Sequence, residues 1–142
     1  RADPRPAGRG AVPASRVLHR VIGVDLVEVA RLRRVLERHP AFAERHFTAG
    51  ERQRADELGE ARRFEFLAGR FAAKEATLKA LGTGISGGVS LAEVETGAEP
   101  SGAPVLRLSG AALRAAEEAG ASRFQVSISH DGGLAIAFVV LS

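Results

Sequence analysis

From Val17 to Val29 the chain reads VLHRVIGVDLVEV, β-branched and apolar enough to predict a buried strand. Alternation sets Ile22, Val24 and Leu26 on one face and Gly23, Asp25 and Val27 on the other. The period then lengthens. Leu32, Val35 and Leu36 form a helical stripe that runs to about Arg38 before Pro40 stops it. Thr48 and Glu51 match a capping box and predict a second helix from Thr48 to Leu58. The longest periodic segment runs from about Arg62 to Leu81. Phe64, Leu67, Phe71, Leu78 and Leu81 recur there at helical spacing, and Gly82 follows as a C-terminal cap. Short strands are expected at Ser90 to Thr96 and Val105 to Leu108, around the turn-forming GAEPSGAP, and a small helix from Ala111 to Ala119 ends at Gly120. Phe124 to His130 and Leu134 to Leu141 flank Asp131-Gly132-Gly133 and read as a β-hairpin. Helices mixed with hairpin-linked strands indicate the α+β class.

Length confines these elements to one domain, since 142 residues suffice for a single hydrophobic core. Residues 1–16, RADPRPAGRGAVPASR, carry no periodic apolar pattern and read as a flexible leader, with the domain at 17–142. The leader lacks the apolar centre of a signal peptide, and its Pro and Gly argue against the amphipathic helix of a transit peptide. Methionine is absent even at position 1, so the chain reads as a fragment, a domain cut from a longer protein, or a processed form. A net charge of +3 permits an acidic partner without demanding one. With no cysteine, a disulfide framework, a thiolate metal site and a thiol nucleophile are excluded, which suits a reducing cytosol, the expected compartment. No apolar run approaches the roughly 18 residues of a membrane span. Aromatics are few and not interleaved with basic residues, which weighs against nucleic-acid binding.

Candidate chemistry centres on GRFAAKEATLKALGTG, which holds the only two lysines, Lys74 and Lys79, among 20 basic residues. Projected at about 100° per residue, Glu75 falls within about 40° of Phe71, inside the apolar stripe. A carboxylate there is paired, metal-bound or protonated. A Glu75–Lys79 i,i+4 pair, worth roughly 0.2–0.5 kcal/mol, explains Lys79 but neither Lys74 nor the burial. Asp25, among apolar neighbours with Gly23 on its face, either caps the next helix, pairs with an arginine, or joins Glu75. Two inward carboxylates on different elements suit Mg²⁺, which takes one or two carboxylates and fills its remaining positions with water and substrate phosphates. Arg70, Lys74 and Lys79, followed by Gly82-Thr83-Gly84, then suggest cations and backbone amides for several phosphates. This is not a Walker loop, whose glycines precede the helix. His130 and Asp131 at the hairpin turn are either a base and phosphate partner or simply a strand end and a turn former. His19, His39 and His46 have no carboxylate at ligand spacing and read as structural or solvated.

GVDLVEVARL, FAERHFT, FLAGRFAAKEATLKALGTG and VSISHDGGLAIAFV, in this order, closely resemble the holo-acyl-carrier-protein synthases, the AcpS-type 4′-phosphopantetheinyl transferases. The resemblance spans about Val21 to Val140. It implies a single small domain of that type, with an antiparallel sheet packed on a long helix, that moves the phosphopantetheine arm of coenzyme A onto a serine of apo acyl carrier protein. It implies Mg²⁺ dependence and release of adenosine 3′,5′-bisphosphate. Asp25 and Glu75 would then be the metal ligands. Lys79, Arg70, Lys74 and the Gly82-Thr83-Gly84 turn would hold CoA phosphates, with Lys79 also stabilising the transferring group and His130 beside the nucleotide. The proton acceptor stays open among Glu75, a metal-associated water, and His130 with Asp131. A homotrimer with sites at subunit boundaries is implied as well. Acyl carrier proteins are acidic, and Arg31, Arg34, Arg38 and Arg45 are spaced to form one basic docking face. The alternative is a non-catalytic relative that binds acidic carrier domains through these arginines.

Overall fold

The computed structural model describes residues 22–142, except for the side chains at 85 and 86. The expected leader and the first residues of the predicted strand lie outside the described residues. The chain enters through β1 (Ile22–Glu28) and turns directly into α1 (Val29–Arg38). Then come α2 (Ala41–His46), α3 (Ala49–Asp56) and the 22-residue α4 (Glu60–Leu81). Two single 3₁₀ turns, Gly84–Gly87 and Leu91–Glu93, lead into β2 (Val94–Ala98) and β3 (Pro104–Leu108); α5 (Gly110–Glu118), β4 (Phe124–Asp131) and β5 (Leu134–Leu141) complete the fold. The main sheet is antiparallel in the order β1-β5-β4, with Asp25 opposite Ala137 and Val24 opposite Phe138, while β2 and β3 form a separate ribbon.

The sequence expectations meet the structure at most of these elements. The Thr48–Glu51 capping box forms with both of its hydrogen bonds, and Gly82 closes α4 in the left-handed conformation at φ 73°. Two local differences have local reasons. Helix α2 was not foreseen, because six residues are too few to show a period. The front of the predicted Ser90–Thr96 strand is a 3₁₀ turn instead. Ser90 accepts from the Ala92 N–H, and Glu93 reaches back to the Ser90 N–H.

Helix α4 crosses one face of the main sheet at short range because the contact is built from small side chains. Ala72, Ala73, Ala76 and Ala80 on the helix, and Ala135 and Ala137 on β5, are fully buried. Gly23 on β1 carries this to its limit, since a Cβ there would overlap the carbonyl oxygen of Ala76. At the other end of the crossing the roles reverse, with Gly69 of α4 giving way to Ile128 and His130 of β4. The opposite face of the sheet corrects the reading of β1 as a buried strand. Its Ile22, Val24 and Leu26, with Leu134, Ile136 and Phe138 of β5, are between 39% and 58% exposed. The polar-looking face of Gly23, Asp25 and Val27 is the one that meets α4, so the acidic residue points inward and the apolar residues point out.

Candidate active site

Packing of β1 on α4 brings together the three charged groups that matter most. Asp25 projects from β1, and Glu75 and Lys79 lie one helical turn apart on α4. Lys79 Nζ donates to Asp25 Oδ1 at 2.9 Å and to the Val24 carbonyl oxygen at 3.2 Å. The i,i+4 partner suggested by spacing is therefore not the one adopted, because the strand offers Lys79 a carboxylate and a carbonyl together. Glu75 makes no ion pair among the described residues. Partial burial raises its pKa above the ordinary glutamate value, the charge of Asp25 raises it further, and Lys79 opposes both. Asp25 and Lys79, bonded to each other, thus both act on the charge of Glu75.

The donor chemistry fits a hard divalent cation. Two carboxylates on rigid elements are what Mg²⁺ takes from a protein when phosphates and water complete its shell. No cluster of three or more acidic or histidine side chains of the sort that would cage a metal by itself occurs among the described residues.

Lys74 corrects the expectation that it meets a phosphate. It is fully buried, and its ammonium donates to the carbonyl oxygens of Leu91 at 2.9 Å and Val94 at 2.5 Å while pairing with Glu51 Oε1 at 2.7 Å. Glu51, itself 2% exposed, accepts from the Thr48 and Thr96 backbone N–H groups as well. One buried ion pair thus ties α3, α4 and the start of β2 together. Burial depresses the Lys74 pKa, and Glu51 offsets this. The picture of Arg70, Lys74 and Lys79 along one helix side fails on the same geometry. At about 100° per residue Lys79 lies about 140° from Lys74 and about 180° from Arg70. Arg70 lies over the Phe66 ring at 4.0 Å, on the Glu51 and Arg54 flank of the helix. Sequence reasoning saw Glu51 only as a cap; no local signal reveals its pairing with Lys74, 23 positions away.

His130 and Asp131 sit at the exposed hairpin rim. His130 Nε2 is 2.8 Å from the Glu65 carbonyl oxygen and donates to it when protonated there. They line a hollow with Glu65 and Gly132 that shares only Leu134 with the cavity holding Asp25 and Glu75. Within one chain the structure therefore does not bring His130 to the carboxylates. Gly82-Thr83-Gly84 follows α4 directly, two residues beyond Ala80, with Gly84 in the left-handed region at φ 55°.

The Asp25–Glu75 cavity, about 550 Å³, is walled largely by Val27, Leu32, Phe42 and Phe71, and Arg31 stands at its edge. Arg31 also lines a neighbouring groove with Arg34 and Arg38; Arg38 continues into a third with Arg45. The four arginines predicted to share a face do form a connected basic band, and it begins at the acidic cavity.

The chain as a whole has relatives among known proteins. A family model described as the 4′-phosphopantetheinyl transferase superfamily matches residues 21–139, and the chain belongs to that superfamily. The relatives it matches within the superfamily are holo-[acyl-carrier-protein] synthases, so the chain is a transferase of that type. The synthase of Methylobacterium radiotolerans is 52% identical over 125 residues, covering 84% of this chain and 90% of that one. That of Salinispora arenicola is 48% identical over 119 residues, covering 84% and 94%. A synthase from Bacillus anthracis, solved in complex with CoA (3′,5′-ADP), is 40% identical and superimposes with a TM-score of 0.71 over 85% of this chain and 94% of that one.

Proposed function

We propose that this protein transfers the 4′-phosphopantetheine arm of coenzyme A to a serine hydroxyl of an acidic apo acyl carrier protein, with Mg²⁺, releasing adenosine 3′,5′-bisphosphate. The observation that carries the proposal is the meeting of Asp25 and Glu75 at a cavity whose edge is Arg31, with the Lys79 ammonium bonded to Asp25. Asp25 and Glu75 hold the metal, which when bound supplies charge neutralisation on the pyrophosphate. Lys79, more than half exposed on a flexible stem, reaches the phosphoryl oxygens and stabilises the charge that develops as the bond to the leaving nucleotide breaks. The band of Arg31, Arg34, Arg38 and Arg45 orients the carrier so that its serine oxygen attacks the β-phosphorus in line. The serine proton leaves to a base at this site, a role that falls to a water held beside the carboxylates, to Glu75 itself, or to His130 with Asp131.

The working unit in this reading is a homotrimer. An apolar sheet face built from β1 and β5 supports self-association, because a monomer rarely leaves so many large aliphatic and aromatic residues together in water; the family resemblance supplies the number three. His130, Asp131 and Arg70, remote from Asp25 in one chain, then serve CoA in the site of a neighbouring copy, together with the Gly82-Thr83-Gly84 turn.

The test incubates the protein with apo carrier protein, CoA and Mg²⁺ and follows the carrier by mass spectrometry. A mass gain of one phosphopantetheine arm is expected, lost on chelation of the metal and in Asp25→Ala and Glu75→Ala. No gain with folded protein across several carriers refutes the assignment.

A further inference from the structure

Lys79 occupies the place of a cation. Its ammonium lies against Asp25 Oδ1 and the Val24 carbonyl oxygen, and its charge acts on Glu75 as well. Two carboxylates sharing a site repel one another unless positive charge lies beside them, and among the described residues the cation bonded to Asp25 is Lys79. The arrangement contrasts with Lys74. There the ammonium is fully buried with three oxygen partners on three elements, whereas the Lys79 side chain is 57% exposed and Asp25 16%. An ion pair open to water on one side is weakly held, and a doubly charged ion competing for the same carboxylate repels the ammonium.

We propose that Lys79 is a placeholder cation: it neutralises the Asp25–Glu75 pair in the metal-free protein, leaves Asp25 when a divalent cation binds, and only then is free to meet phosphate. The inference rests on the reading of Asp25 and Glu75 as metal ligands. It has two consequences. Metal and CoA bind cooperatively, because expulsion from Asp25 delivers the ammonium to the pyrophosphate. It also explains a lysine in a chain that otherwise uses arginine almost throughout. A guanidinium fork would grip the Asp25 carboxylate through two hydrogen bonds and resist release, whereas an ammonium on a four-carbon stem swings away.

Protein labelled with ¹³C at lysine Cε tests this directly, since a chain with two lysines gives two signals and Lys79→Arg assigns them. Mg²⁺ added without CoA is expected to move the Lys79 signal to the position it has in metal-free Asp25→Asn. The buried Lys74 signal should stay in place and report that the fold is intact. In parallel, Mn²⁺ affinity without CoA, read by electron paramagnetic resonance, should weaken about fivefold or more in Lys79→Arg and strengthen severalfold in Lys79→Met. A Lys79 signal that saturating Mg²⁺ leaves unmoved while Mn²⁺ is shown to bind, or one Mn²⁺ affinity across these variants, overturns the placeholder while sparing the metal site. Failure of millimolar Mn²⁺ to bind either wild type or Lys79→Met, with and without CoA, overturns the metal reading itself and the placeholder with it.

Discussion

Replacing Lys74 by Met separates structure from binding at the residue where sequence and fold disagree most. The substitution keeps the length of the side chain but removes an ammonium with three oxygen partners, and it leaves the Glu51 carboxylate at 2% exposure without its countercharge. Removing one partner of a buried pair costs about 3–5 kcal/mol. Two backbone N–H groups, those of Thr48 and Thr96, still bond Glu51 and limit the loss to the lower part of that range. Adding Glu51→Gln removes the stranded charge, so the double variant should be more stable than the sum of the single losses by about 2 kcal/mol. Urea unfolding at one fixed protein concentration measures both quantities. Because Lys74 does not reach the cavity, Lys74→Met that remains folded at low temperature should keep the wild-type KM for CoA, whereas Lys79→Met should lose turnover. A stability loss under about 1 kcal/mol, additive single variants, or a selective rise in the KM for CoA would refute the structural role assigned to Lys74.

The sheet face, the basic band and Glu75 give further tests. Phe138→Glu places a charge in the centre of the exposed apolar face; if the proposed trimer forms through this face, sedimentation velocity should show monomers in its place, and transfer activity should fall about tenfold or more. Charge reversal at Arg31 or Arg38 should raise the KM for carrier protein severalfold and leave that for CoA unchanged, an effect that fades at high salt. Equal changes in both constants would remove the docking role. Glu75 has a folded pKa raised by burial, so the charged form needed for metal is lost as pH falls through a value above that of an ordinary glutamate. The sign for stability is opposite. The metal-free fold binds this proton more tightly than the unfolded chain does, so acidification through that window favours the fold at this residue. Mn²⁺ affinity titrated against pH should therefore collapse at a midpoint above the ordinary glutamate range; a midpoint at or below it would contradict the burial of Glu75.

The sequence by itself determined the local features. Helix α4 and its Gly82 cap follow from apolar spacing and a glycine free to take positive φ, and the capping box of α3 follows from two residues three apart. The hairpin of β4 and β5 follows from alternation around a glycine turn. Alternation also put Asp25 and Gly23 on one face of β1, and helical projection put Glu75 inside the stripe, so both carboxylates were legible as inward-facing residues. Only the tertiary structure decided which partners those residues meet. Lys79 pairs with Asp25, 54 positions away, and not with Glu75 one turn off; Lys74 is taken by Glu51 and by carbonyl oxygens of the segment entering β2; and His130 lies apart from the carboxylates. The same holds for the sheet: Ile22, Val24 and Leu26 are apolar enough to suggest burial, but α4 lands on the other face of β1 and leaves them exposed in the chain. The physical reason is one of range. Periodicity, capping and turn preference are interactions among residues within a turn or a strand repeat, whereas ion pairing and coverage are settled by groups distant in sequence that packing brings within a few ångströms.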